Sequence, residues 1–131
     1  MEIRKYQKDQ DEAGLMKMIR DEGEDWYCYW ADEVNEMYRQ ALENSITYVA
    51  YEGGEICGYS RSINDNGFYI YVCDLLVRKS CRGVGIGKSL MESIYSDYPP
   101  MTVYVMSDVD GYYDTLGYRR EGSVFEVSRP E

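Results

Sequence analysis

Four cations, Arg78, Lys79, Arg82 and Lys88, surround Gly83, Gly85 and Gly87 in a chain whose net charge is −10. The stretch runs Val77-Arg78-Lys79-Ser80-Cys81-Arg82-Gly83-Val84-Gly85-Ile86-Gly87-Lys88. Glycines let a backbone approach a ligand closely, and the free N–H groups at a helix start point at negative charge. The chemistry is anion binding, and phosphate is the anion that suits it. A second candidate lies just upstream. Asp74 is one carboxylate inside a run, Phe68 to Leu76, that is otherwise apolar on both alternating faces. Such a charge needs a partner or a task. It is either a general base, acting directly or through a water with a pKa raised by burial, or a satisfied structural carboxylate. Glu24, Asp25 and Asp108 are rival bases. A third cluster is Glu24-Asp25-Trp26-Tyr27-Cys28-Tyr29-Trp30, where carboxylates stand beside aromatic rings. That pairing suits an ammonium group through charge and cation–π contacts, and the same rings could equally cover a sheet edge.

The elements that must hold these residues follow from periodicity and breakers. Phe68 to Leu76 reads as a strand covered on both sides. Ile86, Leu90, Ile94 and Tyr98 recur at spacing four, with Met91 and Tyr95 beside them, so a helix with one buried stripe follows the glycine loop. Pro99-Pro100 stops it. Upstream, Glu2 to Tyr6 is a short strand. Asp9 with Glu12 resembles a capping box opening a helix that buries Leu15, Met18 and Ile19 and ends near Gly23. Trp30, Val34, Met37, Tyr38, Ala41 and Leu42 keep a helical period to about Asn44. Ile46 to Tyr51 and Ile56 to Ile63 form a hairpin about Glu52-Gly53-Gly54-Glu55, and Asn64-Asp65-Asn66-Gly67 turns into the Asp74 strand. Met101 to Met106 is a further strand, parallel to its predecessor because a helix joins them. Asp108 or Asp110 caps a short helix closed by Gly117, and Tyr118–Glu121 with Val124–Val127 ends the chain as a small hairpin about Gly122.

Bulk properties narrow the classes. The 131 residues make one domain, 1–131, with no repeat, linker or low-complexity tract. The negative balance argues against duplex nucleic acid and fits a cationic partner, although acidity also serves solubility. Four cysteines without a C-x-x-C pair, and no histidine, remove the usual zinc patterns, so no metal is expected. Cys57 and Cys73 read as buried small hydrophobes; Cys81, in the basic loop, is either a bystander or a thiol whose pKa cations lower. Met1-Glu2-Ile3-Arg4 is no signal peptide, and no apolar run nears the ~20 residues of a membrane span, so no membrane is expected and the cytoplasm is the default.

Two familiar phosphate motifs fail on this loop. G-x-x-x-x-G-K-[ST] would need glycine at Arg82, and G-x-G-x-x-G would need it at Lys88 or Leu90. R-x-x-G-x-G fits, as Arg82-x-x-Gly85-x-Gly87, between a strand and a helix. This resembles the acetyl-coenzyme A loop of the GNAT N-acetyltransferase superfamily. Tyr112-Tyr113-Asp114-Thr115-Leu116-Gly117-Tyr118 resembles that family's F-Y-x-x-L-G-F segment, with Tyr for Phe at both ends. The element order β-α-α-β-β-β-α-β-α-β-β agrees with it. The resemblance implies an α/β (α+β mixed) fold: a central mixed, mostly antiparallel twisted sheet of six to seven strands with helices on both faces.

It also implies an acetyl-coenzyme A-dependent N-acetyltransferase in which an amine attacks directly within a ternary complex. The alternative is a non-catalytic module that senses acetyl-coenzyme A. The backbone N–H groups of Arg82, Gly83, Val84, Gly85, Gly87 and Lys88 would hold the diphosphate. The strand before the loop would bulge and splay from the next, and the pantetheine arm would bond main chain at Leu75, Leu76 and Val77. Tyr113 matches the tyrosine that often protonates the departing thiolate; the other reading is a packing residue of an amphipathic helix. Many members carry an Asn seven residues earlier, where this chain has Met106. Glu24, Trp26, Tyr27 and Trp30 occupy the region that often receives the acceptor, a small-molecule amine or a protein amine. A homodimer is allowed.

Overall fold

The computed structural model describes residues 1–130. A five-stranded sheet in the order β1-β2-β3-β4-β5 is built from β1 (Glu2–Lys5), β2 (Ile46–Glu52), β3 (Glu55–Asn64), β4 (Ile70–Val77) and β5 (Val103–Val105). The first four pair antiparallel in sequence, and β5 adds parallel to β4. The connection between β4 and β5 is α4 (Ile86–Asp97), which supplies the crossover that a parallel pair requires. On the other face lie α1 (Lys8–Asp21), α2 (Tyr27–Trp30) and α3 (Asn35–Asn44), and a short α5 (Asp110–Thr115) follows β5.

Each face of the sheet carries its own core. Leu15, Met18 and Ile19 of α1 and Tyr38 and Leu42 of α3 pack on Val49, Ile56, Tyr59 and Leu76. Ile86, Leu90, Met91 and Ile94 of α4 pack on Tyr48, Ala50, Ile70 and Val72. The strands therefore read as apolar on both sides because both sides are covered. The entry to α1 differs from the expected capping box on Asp9 and Glu12. The N-cap is Gln7, two residues before Asp9, and the helix begins at Lys8. The fully buried Asp11 accepts the Gln7 N–H at 2.7 Å, two bonds from Arg4 at 2.8 and 2.7 Å, and the Tyr51 hydroxyl at 2.5 Å. One carboxylate thus ties β1, β2 and the helix start together, with each acceptor position used.

Five other expectations need correction. The helix expected over Trp30 to Asn44 is broken: Glu24–Trp26 is a 3₁₀ turn, α2 is one turn long, and Ala31 turns extended (ψ 149°) before α3 starts at Asn35. Phe68 lies in the turn rather than in β4, and is exposed. Neither Asp108 nor Asp110 caps α5; the Ser107 hydroxyl accepts the Val109 N–H instead. The terminal hairpin does not form, which is why the sheet has five strands rather than six to seven. Residues 118–130 carry no regular structure. A two-stranded hairpin is marginal without a surface to cover it, and propensity over two four-residue runs does not supply one. Gly117 does close α5, with φ +80° and its N–H on the Asp114 carbonyl. Cys57 is buried as expected, while Cys73 is only half-buried.

Among the described residues no helix is long and apolar enough to cross a membrane, and no group of three or more His, Cys, Asp or Glu could hold a metal ion.

Candidate active site

The site is opened by a bulge in β4. Arg61 pairs with Asp74 and Ser62 with Val72, leaving Cys73 as the extra residue. A bulge reverses which way the following residues face and sharpens the local twist. Ile70 and Val72 accordingly face α4, whereas Asp74 and Leu76 face α1 and α3. The bulge coincides with the end of the parallel ladder: β5 pairs only with Ile70 to Val72, and the last bond runs from the Met106 N–H to the Val72 carbonyl at 3.2 Å. From Cys73 to Val77, β4 has no strand on its β5 side.

Main-chain parity then decides which groups line that gap. The Arg78 N–H donates to Cys57 on β3 at 2.8 Å, so Leu76 and Asp74 direct their amides to β3 and the amides of Leu75 and Val77 face outward. Of the three main-chain positions expected there, Leu75 and Val77 face the gap. Leu76 is paired with Tyr59.

The glycine loop begins where the gap ends. A 3₁₀ turn over Lys79–Cys81 is followed by Gly83 (φ +89°) and Gly85 (φ +88°), both left-handed, and Gly85 caps α4. The first amide of α4 with a protein acceptor is that of Ser89, bonded to Gly85 at 3.0 Å. Among the described residues, the six successive N–H groups of Gly83 to Lys88 donate to no protein acceptor. Alternating left-handed glycines followed by a helix N-terminus form a concave nest of amides that fits an anion.

Arg82 behaves differently from its neighbours in the loop. Its N–H bonds weakly to Lys79, at 3.4 Å. Its side chain donates from Nε to the Val77 carbonyl at 2.8 Å and from Nη2 to Glu22 at 2.7 Å. Arg82 therefore braces the loop between the end of β4 and the end of α1. Lys88 and Arg78 make longer pairs, at 3.8 Å with Glu92 and 3.7 Å with Glu55, while Lys79 has none among the described residues.

The second motif packs onto this loop. A Cβ at Gly87 would lie 2.2 Å from the Tyr112 hydroxyl, so a larger residue there would push the Tyr112 ring off the head of α4. Next to it, Tyr113 is half-buried between Tyr112 (ring centroids 5.0 Å apart) and Tyr118 (6.2 Å, stacked). Burial, then the negative charge of its neighbours, pushes its phenol up to about 12, so the hydroxyl stays a proton donor throughout the neutral range.

Asp74 lies in a different cluster. Its side chain is 3% exposed; Arg61 Nε and the Tyr38 hydroxyl both donate to its Oδ2 at 2.7 Å. The Tyr38 hydroxyl also bonds that of Tyr59 at 2.6 Å, and Arg61 reaches Ser45 at 3.2 Å. Burial and then the Asp74 charge hold the Tyr38 and Tyr29 phenols well above the ordinary range. Of the two readings open for Asp74, the geometry is that of a partnered buried carboxylate.

This network is the floor under the acidic–aromatic connection. Trp26 packs on Tyr29 (5.3 Å) and edge-on to Tyr59 (6.4 Å), and Tyr29 packs on Tyr38 (4.7 Å). Trp30 donates to the Gly23 carbonyl at 3.0 Å, lies under Arg20 at 5.8 Å and meets Tyr27 edge-on at 4.8 Å. The faces of Trp30 are thus in use by the protein, whereas Glu24, Asp25 and Tyr27 are exposed. Sequence reasoning missed Arg61, Tyr38, Tyr59 and Glu22. The one available signal was a lone arginine in a strand hairpinned to the strand of Asp74.

Residues 8–129 match the family model described as an acetyltransferase (GNAT) domain. The chain belongs to the GNAT acetyltransferase family. Members of this family take their acetyl group from acetyl-coenzyme A. The chain is 29% identical over 111 residues to serotonin N-acetyltransferase 2, chloroplastic, of Oryza sativa subsp. japonica, covering 73% of this chain and 56% of that one. An uncharacterized N-acetyltransferase ycf52 of Pyropia yezoensis is 22% identical over 102 residues, 70% of this chain and 59% of its own. The GNAT chain thus spans somewhat more than half the length of these curated relatives. Among solved structures, an aminoglycoside acetyltransferase, HMB0005, from an uncultured soil metagenomic sample shares the fold with a TM-score of 0.77 at 23% identity, over 98% of both chains. The GNAT family protein SP0256 of Streptococcus pneumoniae TIGR4 does so with 0.75 at 24%, also over 98% of both.

Proposed function

We propose that this chain transfers an acetyl group from acetyl-coenzyme A to a primary amine by direct attack within a ternary complex. The observation that carries the reading is the nest of six unpaired amides at the head of α4, at the mouth of the gap between β4 and β5. The nest suits a diphosphate, and the outward main-chain groups of Leu75 with the outward amide of Val77 suit the amide-bearing arm behind it. Arg82 and Gly87 hold the loop in shape. Met106, at the position where many members carry an Asn, offers its main chain to Val72 and has no side-chain amide to give.

The neutral amine attacks the thioester carbonyl carbon; the N–C bond forms, the C–S bond breaks, the nitrogen gives one proton to solvent as it becomes an amide, and the thiolate takes one. Tyr113 is the donor in this reading, its burial keeping the proton in place. The ammonium proton must leave first. Glu24 and Asp25, on an exposed turn above Trp26, draw a cation towards the gap. Tyr27, exposed beside them, and Trp30, which it meets edge-on, belong to the acceptor region in this reading. Two relatives are named for amine acceptors, serotonin and aminoglycosides, which supports an amine here without choosing one.

Asp74 is a positioning residue in this scheme. It fixes Arg61 and Tyr38 beneath the aromatic floor. Asp74→Asn is expected to cost about 3 kcal/mol of stability, because Arg61 loses its buried partner, and to leave the shape of the pH–rate profile unchanged. A displaced acidic limb in that variant would restore Asp74 as the base.

The function itself is tested by thermal stabilisation with coenzyme A, acetyl-coenzyme A and ATP, followed by thiol release over a panel of amines. Stabilisation by the first two and amine-dependent thiol release are expected. Stabilisation without release on any amine would favour the sensor reading, and stabilisation by ATP alone would overturn both.

A further inference from the structure

α1 ends against local preference. A helix C-terminus favours a cation, yet Asp21 is the last residue of this helix and Glu22 is its cap. Asp21 is answered within the helix by Lys17, at 2.9 Å on the exposed side. Glu22 is answered from elsewhere. Its side chain is only 11% exposed, and among the described residues its carboxylate takes one hydrogen bond, from Arg82 Nη2 at 2.7 Å, 60 positions along the chain. Arg82 Nε meanwhile donates to the Val77 carbonyl at 2.8 Å, so the guanidinium is anchored on both sides. Gly83, the first amide of the nest, follows Arg82 directly.

On the other side of Glu22 the chain turns at Gly23, with φ +93°. The Gly23 carbonyl accepts the Trp26 N–H at 3.1 Å and Trp30 Nε1 at 3.0 Å. Arg20, in the last turn of α1, lies over the same Trp30 indole. One line of hydrogen bonds and chain thus runs from Val77 through Arg82, Glu22 and Gly23 to Trp26 and Trp30, the only two tryptophans of the protein.

We propose that Glu22 is a positioning residue of the cofactor site: by holding Arg82 it sets the glycine loop from the end of α1, and through Gly23 the same brace carries the state of the loop to Trp30. The inference rests on the acetyl-coenzyme A reading of the nest. Charge alone predicts the opposite of positioning. Glu22 is an anion separated from a diphosphate site by Arg82, so neutralising it would by Coulomb attraction tighten cofactor binding. Positioning makes the same change weaken binding, because Arg82 loses its charged partner and the loop loses one of its two anchors.

Coenzyme A alone is the probe. Calorimetric titration should give a Kd about 10-fold higher in Glu22→Gln than in the parent chain. Asp21→Asn, the matched charge control, should bind as tightly as the parent or slightly more tightly. Arg82→Gln should weaken binding as well, and adding Glu22→Gln to it should cost at most about a further twofold, since both changes break one contact. Indole emission is the second readout. Saturation with coenzyme A should change the emission of the parent and leave that of Glu22→Gln, also saturated, nearly as it was. Equal or tighter binding by Glu22→Gln, a fully additive double variant, no emission change in the parent, or the same change in both chains would overturn the positioning role and leave the acetyl-coenzyme A reading in place. A parent that binds no coenzyme A would overturn both.

Discussion

Replacing Gly85 by valine should raise the KM for acetyl-coenzyme A by about 100-fold and remove the thermal shift that coenzyme A produces. Two effects add. Gly85 sits at φ +88°, where a β-branched residue is strained by about 1–3 kcal/mol, so the loop will turn its amides away from their common focus. A side chain there also enters open space, since a Cβ at Gly85 meets no protein atom within 4 Å. That space is the one an anion needs in order to reach the amides of Gly83 to Lys88. Gly53→Val is the matched control. Gly53 is also left-handed (φ +58°) with nothing around its Cβ, and it lies in the turn between β2 and β3. The control should lose comparable stability and keep its cofactor affinity. If Gly85→Val bound coenzyme A as tightly as the parent chain, the loop would have no part in binding.

The readable and unreadable parts of this site differ for a physical reason. The glycine loop announces itself locally: residue types, a strand before and a helix after are all within reach of sequence pattern. Left-handed φ at Gly83 and Gly85 is what glycine is used for, and the helix period from Ile86 to Tyr98 needs no tertiary knowledge. The meaning of Asp74 was out of reach because it depends on parity. Without the extra residue at Cys73, Asp74 would share a face with Ile70 and Val72 beneath α4, away from Arg61. A bulge shifts that parity by one, and nothing about a cysteine between Val72 and Asp74 encodes it. The same shift governs whether Leu75 or Leu76 turns its amide to the gap. Asp11 shows a related limit: its partners come from β1, β2 and the helix entry, while Asp9 and Glu12 satisfied a local spacing rule that the fold does not use. The tail errs in the opposite sense. Its alternation is a sound strand signal, but a strand requires a partner, and among the described residues the tail pairs with none although the outer edge of β5 stays open.

Tyr113→Phe should lower kcat by about 100-fold near pH 7 while the KM for acetyl-coenzyme A changes less than about threefold, the lower end of what a positioned proton donor contributes. Phenylalanine retains the ring packed between Tyr112 and Tyr118, and the Tyr113 hydroxyl makes no hydrogen bond among the described residues, so folding should be little affected. The pH dependence separates proton donation from packing. Burial raises the Tyr113 phenol to about 12, so the donor form persists below that value and is lost only as pH climbs through it. The leaving thiol titrates near the ordinary thiol range of about 8.5, and above it the thiolate departs without needing a proton. The ratio of parent to variant kcat should therefore be largest near neutrality and narrow above about pH 9, well before Tyr113 itself ionises. A packing defect would instead give a ratio that is flat with pH. A variant within twofold of the parent at pH 7 would leave the thiolate to be protonated by water and return Tyr113 to the role of a ring in the α5 stack.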